Sequence, residues 1–249
     1  MKPDERYVYW AEILPNTYML VLQAAPLNIG PMMEEYLWHT KNSVILTSAT
    51  LTTHGEFNYI RSRLNADEAD ELVLGSPFDF ETSTLLYMVN DVAEPSDANA
   101  YQREVDAAII RLAKATDGRM LVLFTSYAQL KRTSQNISGA LAEAEIQVYE
   151  QGEGASTNTL LENFRDAPKA VLLGTRAFWE GVDIPGEALS VLVITKLPFD
   201  VPSDPIIAAR AETFDDAFNE YNLPEAILRF RQGFGRLIRT QSDRGVVVI

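Results

Sequence analysis

Near the end of the chain, Arg236 and Arg239 stand three residues apart, and Gln232 lies four residues before Arg236. The spacing predicts a helix over residues 224–239 with all three on one face, because side chains at i, i+3 and i+4 are neighbours. Guanidinium stays charged and binds phosphate oxygens in pairs, so two arginines and an amide on a rigid rod suit a polyphosphate. An amphipathic surface helix whose arginines meet only solvent or carboxylates fits the same pattern. Gly233 and Gly235 favour the first reading. Each costs a helix about 1 kcal/mol relative to alanine, and close approach of a ligand or a second backbone would explain that cost. The stretch is also a local basic patch: five arginines (229, 231, 236, 239, 244) face a single acid, Asp243.

Three further polar clusters follow apolar runs, where open α/β sheets collect ligands beyond the carboxyl ends of their strands. Thr47-Ser48-Ala49-Thr50 follows Val44-Ile45-Leu46, whose continuous apolarity predicts a strand buried on both faces. Thr125-Ser126 follows the apolar run 120–124 and precedes a predicted helix, 127–143, so hydroxyls and unpaired helix N–H groups can hold a phosphate there. Gly174-Thr175-Arg176 follows the run 170–173 and leads into Phe178-Trp179-Glu180-Gly181-Val182-Asp183. Each cluster also has a plain structural reading. Ser or Thr after a strand is often a helix cap, an Asp often caps a turn, and Phe178 and Trp179 stand between stacking on a base and wedging into the core.

The elements that must position these groups follow from the apolar patterning. Residues 7–14 and 18–25 read as two strands around the turn Pro15-Asn16, and a helix over 32–39 follows Pro31. Residues 55–64 read as helix, and 72–74 and 85–89 as short strands. From residue 101 the alternation is regular: helix 102–116, strand 120–124, helix 127–143, strand 146–149, helix 158–165, then strands 170–173 and 189–195. Helices over 205–219 and 224–239 precede a strand signal at 245–249. Such alternation predicts a parallel α/β sheet. The chain stops inside that last strand signal, which reads as a truncation.

Composition narrows the chemistry. Of 249 residues, 35 are acidic and 21 basic, for a net charge of −14, so any polyanion site must be a local patch. Hydrophobic residues make up 47% and aromatic ones 10%, enough for a substantial core. No cysteine is present, which excludes disulfides, thiolate catalysis, thiolate-ligated clusters and Cys-based zinc sites within this chain. His39 and His54 leave little for an imidazole-based metal site. No apolar run of about 20 residues occurs, so the expectation is a cytoplasmic protein without a membrane partner.

The ordered set Thr47-Ser48-Ala49-Thr50-Leu51, Leu123-Phe124-Thr125-Ser126-Tyr127, Gly174 through Asp183, and Gln232 through Arg239 resembles motifs III, IV, V and VI of superfamily 2 helicases. The similarity is to the DinG-type helicases, relatives of the xeroderma pigmentosum group D helicase, and it spans nearly all the chain from Tyr9. Leu197-Pro198-Phe199 and Pro202-Ser203-Asp204-Pro205 are also similar to that family. The resemblance implies a RecA-like parallel sheet with helices on both faces. Residues 1–52 would be the tail of a first motor domain, and 53–249 a second motor domain truncated at its C-terminus.

The resemblance also assigns roles. Arg236 and Arg239 would be catalytic, meeting the γ-phosphate of ATP held on the first motor domain, with Arg239 as the arginine finger. Gln232, Glu180, Gly181 and Asp183 would line the nucleotide. Thr125, Ser126, Thr175, Arg176 and Trp179 would contact single-stranded DNA, and Ser48 and Thr50 would couple the state of ATP to strand movement. The implied function is an ATP-dependent DNA helicase acting in DNA repair, with ATP and Mg²⁺ as cofactors. Its partners would be single-stranded DNA and the N-terminal motor domain of the same protein.

The departures matter as well. No G-x-x-x-x-G-K-[ST] loop occurs, since Gly152-Glu153-Gly154-Ala155-Ser156 has the wrong spacing and no lysine, and no Asp-Glu-x-His box is present. The chain alone is therefore expected neither to hydrolyse ATP nor to unwind duplexes. The alternatives are a non-catalytic α/β module binding nucleotide or protein, or an α/β enzyme with its own active site. The latter lacks a base–nucleophile set or a metal cage.

Overall fold

The parallel sheet is built on three runs that are apolar at every position: β4 (Met120–Leu123), β6 (Ala170–Gly174) and β7 (Val191–Ile194). All three are buried throughout, as strands covered on both faces must be. In a computed structural model, residues 4–14, 17–152, 154–180, 184 and 188–249 are described, with only the backbone given for Arg176 and Glu180. Among the described residues, six strands pair in the order β3-β8-β7-β4-β6-β5, every pairing parallel. The remaining strands are β3 (Thr84–Tyr87), which follows the short helix α3 (Phe80–Ser83), β5 (Gln147–Glu150) and β8 (Gly245–Val248).

Period-2 alternation sends each central strand into two separate apolar layers. Met120, Val122, Val171, Leu173, Val191 and Val193 pack with α4 (Ala98–Ala115) and α5 (Tyr127–Ala142). Leu121, Leu123, Leu172, Leu192 and Ile194 pack with α6 (Thr157–Asp166), α7 (Arg176–Glu180) and the pair Leu237 and Ile238. Side-chain caps start the helices on cue. Asp97, Ser126 and Ser156 accept from the N–H groups of Ala100, Gln129 and Thr159, occupying donors that a first turn leaves unpaired. The RecA-like fold class expected from the sequence is the one observed.

The chain divides into two compact units, Met1–Val73 with Phe199–Leu228, and Leu74–Pro198 with Arg229–Ile249. The sheet and both apolar layers belong to the second unit. In the first, β1 (Tyr7–Ile13) and β2 (Leu20–Pro26) form an antiparallel hairpin; the Pro15-Asn16 turn expected between them lies outside the described residues. The first unit also holds α1 (Gly30–Met33), continued as a π-turn over Glu34–Trp38, then α2 (Asn58–Leu64) and α8 (Pro205–Ala211). A second π-turn (Phe218–Asn222) leads into α9 (Leu223–Phe234), whose residues 223–228 belong to this unit and 229–234 to the other.

Four expectations are corrected. Val44-Ile45-Leu46 forms no strand, and Ile45 is 86% exposed. A doubly buried strand needs hydrogen-bonded neighbours, and none of the described strands pairs with this run. Residues 72–74 likewise form no strand and are exposed. The helix expected over 205–219 stops at Ala211, because Asp216 opens a new helical turn by accepting from Asn219 N and Nδ2 at 3.1 and 2.6 Å. Most consequentially, α9 ends at Phe234, so Arg236 and Arg239 do not lie on a helix face. Gly235 N still bonds to the Arg231 carbonyl (3.0 Å), but Arg236 N and Leu237 N step back only three residues, to Gly233 and Phe234. The ladder has tightened into a terminal turn. Leu237 and Ile238 then both enter the core.

Candidate functional site

Within the sheet unit, strand register decides which loops meet. Leu123 on β4 pairs with Gly174 on β6 and with Ile194 on β7, so three chain segments leave the carboxyl edge side by side. They carry Thr125 and Ser126, Thr175, and Thr195 with Lys196. Thr125 and Ser126 are exposed, and Ser126 at once caps α5 through Gln129 N at 3.4 Å, so the capping reading and an accessible hydroxyl coexist. Thr175 is half-buried. Its N–H and its hydroxyl both donate to Oε1 of Gln151, at 2.7 and 2.8 Å. Lys196 lies 5.2 Å from the centre of the Tyr101 ring, whose hydroxyl donates to the Thr195 carbonyl; burial pushes that phenol above its ordinary value.

Trp179 joins the other expected elements. It is 3% exposed, and its indole N–H donates to the carbonyl of Phe124 at 3.2 Å, linking α7 to the end of β4. Its own carbonyl accepts from Nε of Arg236 at 3.1 Å. Gly233 lies against the indole so closely that a Cβ there would come within 2.6 Å of ring carbon Cε3. Gly174 plays the same part for Phe178, with a would-be Cβ 2.5 Å from Cγ. The glycine signal at Gly233 is thus explained by a side chain packed on bare backbone, whereas at Gly235 a Cβ would come nearest the Arg231 carbonyl, at 3.3 Å. Between base stacking and the core, Phe178 and Trp179 take the core: both are buried, and the indole is enclosed between β4 and α9.

The arginines are set by this packing. Arg236, Arg239 and Gln232 are all half-buried, not facing open solvent as their expected helix would have placed them. Asp243, itself buried, organises the loop that follows. One carboxylate oxygen accepts from Arg239 N at 2.8 Å and Thr240 N at 2.9 Å, and the other from the Thr240 hydroxyl at 2.6 Å. Asp243 entered the sequence reading only as an acid among arginines. Its position three residues after Thr240, just ahead of a strand, was the available sign of a turn-forming carboxylate. Gln151 was missed altogether, and no spacing rule points to a single glutamine in a loop.

The other expected residues are not all brought together. Ser48 and Thr50 are near each other (Oγ to Oγ1, 3.1 Å), but they belong to the first compact unit. Gly181 and Asp183 lie outside the described residues, as do the side chains of Arg176 and Glu180. Among the described residues, no group of three or more His, Asp or Glu could hold a metal ion, and no helix is long and apolar enough to cross a membrane.

Comparison with known proteins gives this geometry a family. Residues 109–249 match the helicase C-terminal domain family. The chain is 36% identical over 247 residues to the ATP-dependent DNA helicase YoaA of Escherichia coli, covering 98% of this chain and 38% of that protein. It is also 36% identical over 257 residues to the 3'-5' exonuclease DinG of Bacillus subtilis, covering 99% of this chain and 28% of that protein. The chain therefore spans about two-fifths or less of the length of these relatives. In fold it is similar to the solved XPD helicase, with a TM-score of 0.68 at 22% identity over 91% of this chain and 42% of that one. With its all-parallel RecA-like sheet, and with similarity to DinG-type helicases over nearly its whole length, this chain belongs to the helicase C-terminal domain family.

Proposed function

We propose that this chain is the half of an ATP-driven DNA motor that grips single-stranded DNA and supplies arginines to a nucleotide held elsewhere. Residues 1–52 are assigned to the tail of the first motor domain and 53–249 to the second, whose sheet starts at β3. The supporting observation is the way the segments of motifs IV, V and VI converge on Trp179, through the Phe124 carbonyl, Gly233 and Nε of Arg236. A strand held at Thr125, Ser126 and Thr175 and a phosphate met by Arg236 would then sense each other through one rigid side chain. That suits a motor in which strand grip and nucleotide state must change together.

The donor set fits the triphosphate and not the metal. Two guanidiniums and the Gln232 amide offer N–H groups to anionic oxygens, whereas the Mg²⁺ ligands and the phosphate loop are assigned to the first motor domain. ATP with its Mg²⁺ supplies the transferable phosphoryl group. Arg236, whose Nε is held by the Trp179 carbonyl, would bind its phosphate oxygens, and Arg239, on the Asp243-bound loop, would neutralise the charge that develops as the phosphoryl group departs. Hydroxyl and backbone donors at Thr125, Ser126 and Thr175 hold phosphates without reading bases, as a translocating motor requires. The chain by itself is expected to lack ATPase and unwinding activity. In the full-length protein, Arg239→Ala should lower kcat by roughly 10³-fold or more, the scale of arginine fingers. A loss smaller than about tenfold would remove Arg239 from that role.

A further inference from the structure

The Thr175 donors are already in use. Gln151 Oε1 takes both the N–H and the hydroxyl of Thr175, at 2.7 and 2.8 Å. One sp² oxygen held by a main-chain N–H and a side-chain O–H of the same residue is how such a pair would hold a non-bridging phosphate oxygen. The turn that delivers this oxygen is fastened on two sides. Gln151 N donates to the Leu173 carbonyl at 3.1 Å, at the end of β6. Gly152, at φ +106°, lies so close to Tyr127 that a Cβ would come within 1.7 Å of the phenol oxygen. The preceding residue, Glu150, is buried and ion-paired with Lys131 at 2.9 Å. The backbone is therefore held between the segments that follow Ser126 and precede Thr175, while the Gln151 side chain, half-buried, retains torsions by which it can leave.

We propose that Gln151 Oε1 stands where a phosphate oxygen of single-stranded DNA binds, and that the strand engages Thr175 by displacing the Gln151 side chain. The inference rests on Thr175 being a strand contact. It adds that Thr175 is masked in the free protein, so its donors are never left unpaired and each grip is an exchange of acceptors. A neutral amide suits this role. A carboxylate at the same place would hold the donors by charge-assisted bonds and repel the incoming phosphate. For a motor that must release each phosphate it holds, an internal competitor also keeps the grip weak enough to let go.

The test is the affinity of the 249-residue chain for a fluorescein-labelled oligothymidylate, read by anisotropy at low salt. Gln151→Ala should bind roughly threefold to tenfold more tightly, the worth of one or two neutral hydrogen bonds no longer broken on binding. Gln151→Glu should bind at least about tenfold more weakly. Thr175→Val should weaken binding, and in its background the gain from Gln151→Ala should shrink, because the released donor pair is incomplete. If Thr175→Val weakens binding but Gln151→Ala leaves it unchanged or weakens it too, Gln151 only positions Thr175; the stand-in idea fails and the strand-contact reading survives. If Thr175→Val has no effect, both fail. Nuclear magnetic resonance of the unmutated chain gives a check independent of folding in variants. On adding the oligonucleotide, the Gln151 side-chain amide should move toward the shift of a solvated glutamine as the Thr175 amide shifts. A Thr175 shift with a stationary Gln151 amide would overturn the proposal.

Discussion

The two compact units hold themselves together by different means. In the sheet unit, three central strands deliver alternate side chains to two apolar layers, and almost nothing in those strands is exposed. The hairpin unit instead relies on directional contacts. Nε and Nη2 of Arg210 each donate at 3.2 Å, to the carbonyls of Leu27 and Pro26; the Trp38 indole donates to the Leu64 carbonyl at 2.8 Å; and the Tyr59 hydroxyl donates to Glu225 at 2.6 Å. Phe214 stacks on Tyr221 with centroids 5.4 Å apart, and Arg63 lies 5.5 Å from the centre of the same Tyr221 ring. Meanwhile Ile13, Leu20, Leu22 and Ile45 stay open to solvent. Apolar burial adds up over area, whereas each directional bond contributes only about 1 kcal/mol net. The sheet unit should thus behave as a rigid scaffold, and the hairpin unit as a set of fastenings that can be undone one at a time.

The sharpest way to break the contrast is at Trp179. Trp179→Ala removes a buried indole, and with it the bond to the Phe124 carbonyl, so it should cost about 3–5 kcal/mol of sheet-unit stability. Urea denaturation followed by circular dichroism would read this, and a cost near 1 kcal/mol would mean that Trp179 is a peripheral wedge. A smaller effect of opposite local sign is expected at Gly233. Alanine should favour helix α9 by about 1 kcal/mol, but its Cβ would press on the indole, where overpacking costs about 1–3 kcal/mol. Net destabilisation of Gly233→Ala supports close packing there, while stabilisation would show that the indole yields.

The same contrast explains what could be read from the chain beforehand. Apolar runs such as Met120–Leu123 are legible because all that they require, neighbours on both sides and helices on both faces, lies within these 249 residues. Val44-Ile45-Leu46 shows the same pattern and becomes an exposed, unpaired stretch, since a pattern states what residues need and not whether this chain provides it. Three of the motif clusters were legible as polar residues after apolar runs and the fourth as spaced arginines, and those at 125–126, 174–179 and 232–239 do meet at one edge or around Trp179. Their detailed geometry was not. Gly235 near the end of the apolar periodicity was a visible stop signal, but the i, i+3 spacing of the arginines suggested a helix continuing through it. The clamp of Gln151 on Thr175 depends on β5 and β6 lying side by side, which no local spacing encodes.

The smallest and most local effect should come from alkaline titration of the hairpin unit. Burial, and then the hydrogen bond to Glu225, push the Tyr59 phenol far above its ordinary value. A raised phenol stays neutral in the folded state after the unfolded chain would have lost its proton. Tyr59 therefore contributes stability that is fully present below about pH 10, the value of an exposed tyrosine, and declines as the pH rises beyond it. Tyr221 in the same unit is also raised, chiefly by burial, and adds to the same decline. Tyr59→Phe should cost about 1 kcal/mol at neutral pH, where the bond to Glu225 is lost, and should recover part of that deficit relative to the unmutated chain above pH 10. Hydrogen exchange by mass spectrometry, followed separately over residues 20–64 and 120–174 across that pH range, would show the difference. If protection in both stretches fell together and Tyr59→Phe changed neither, the hairpin unit would not be held by separable directional bonds.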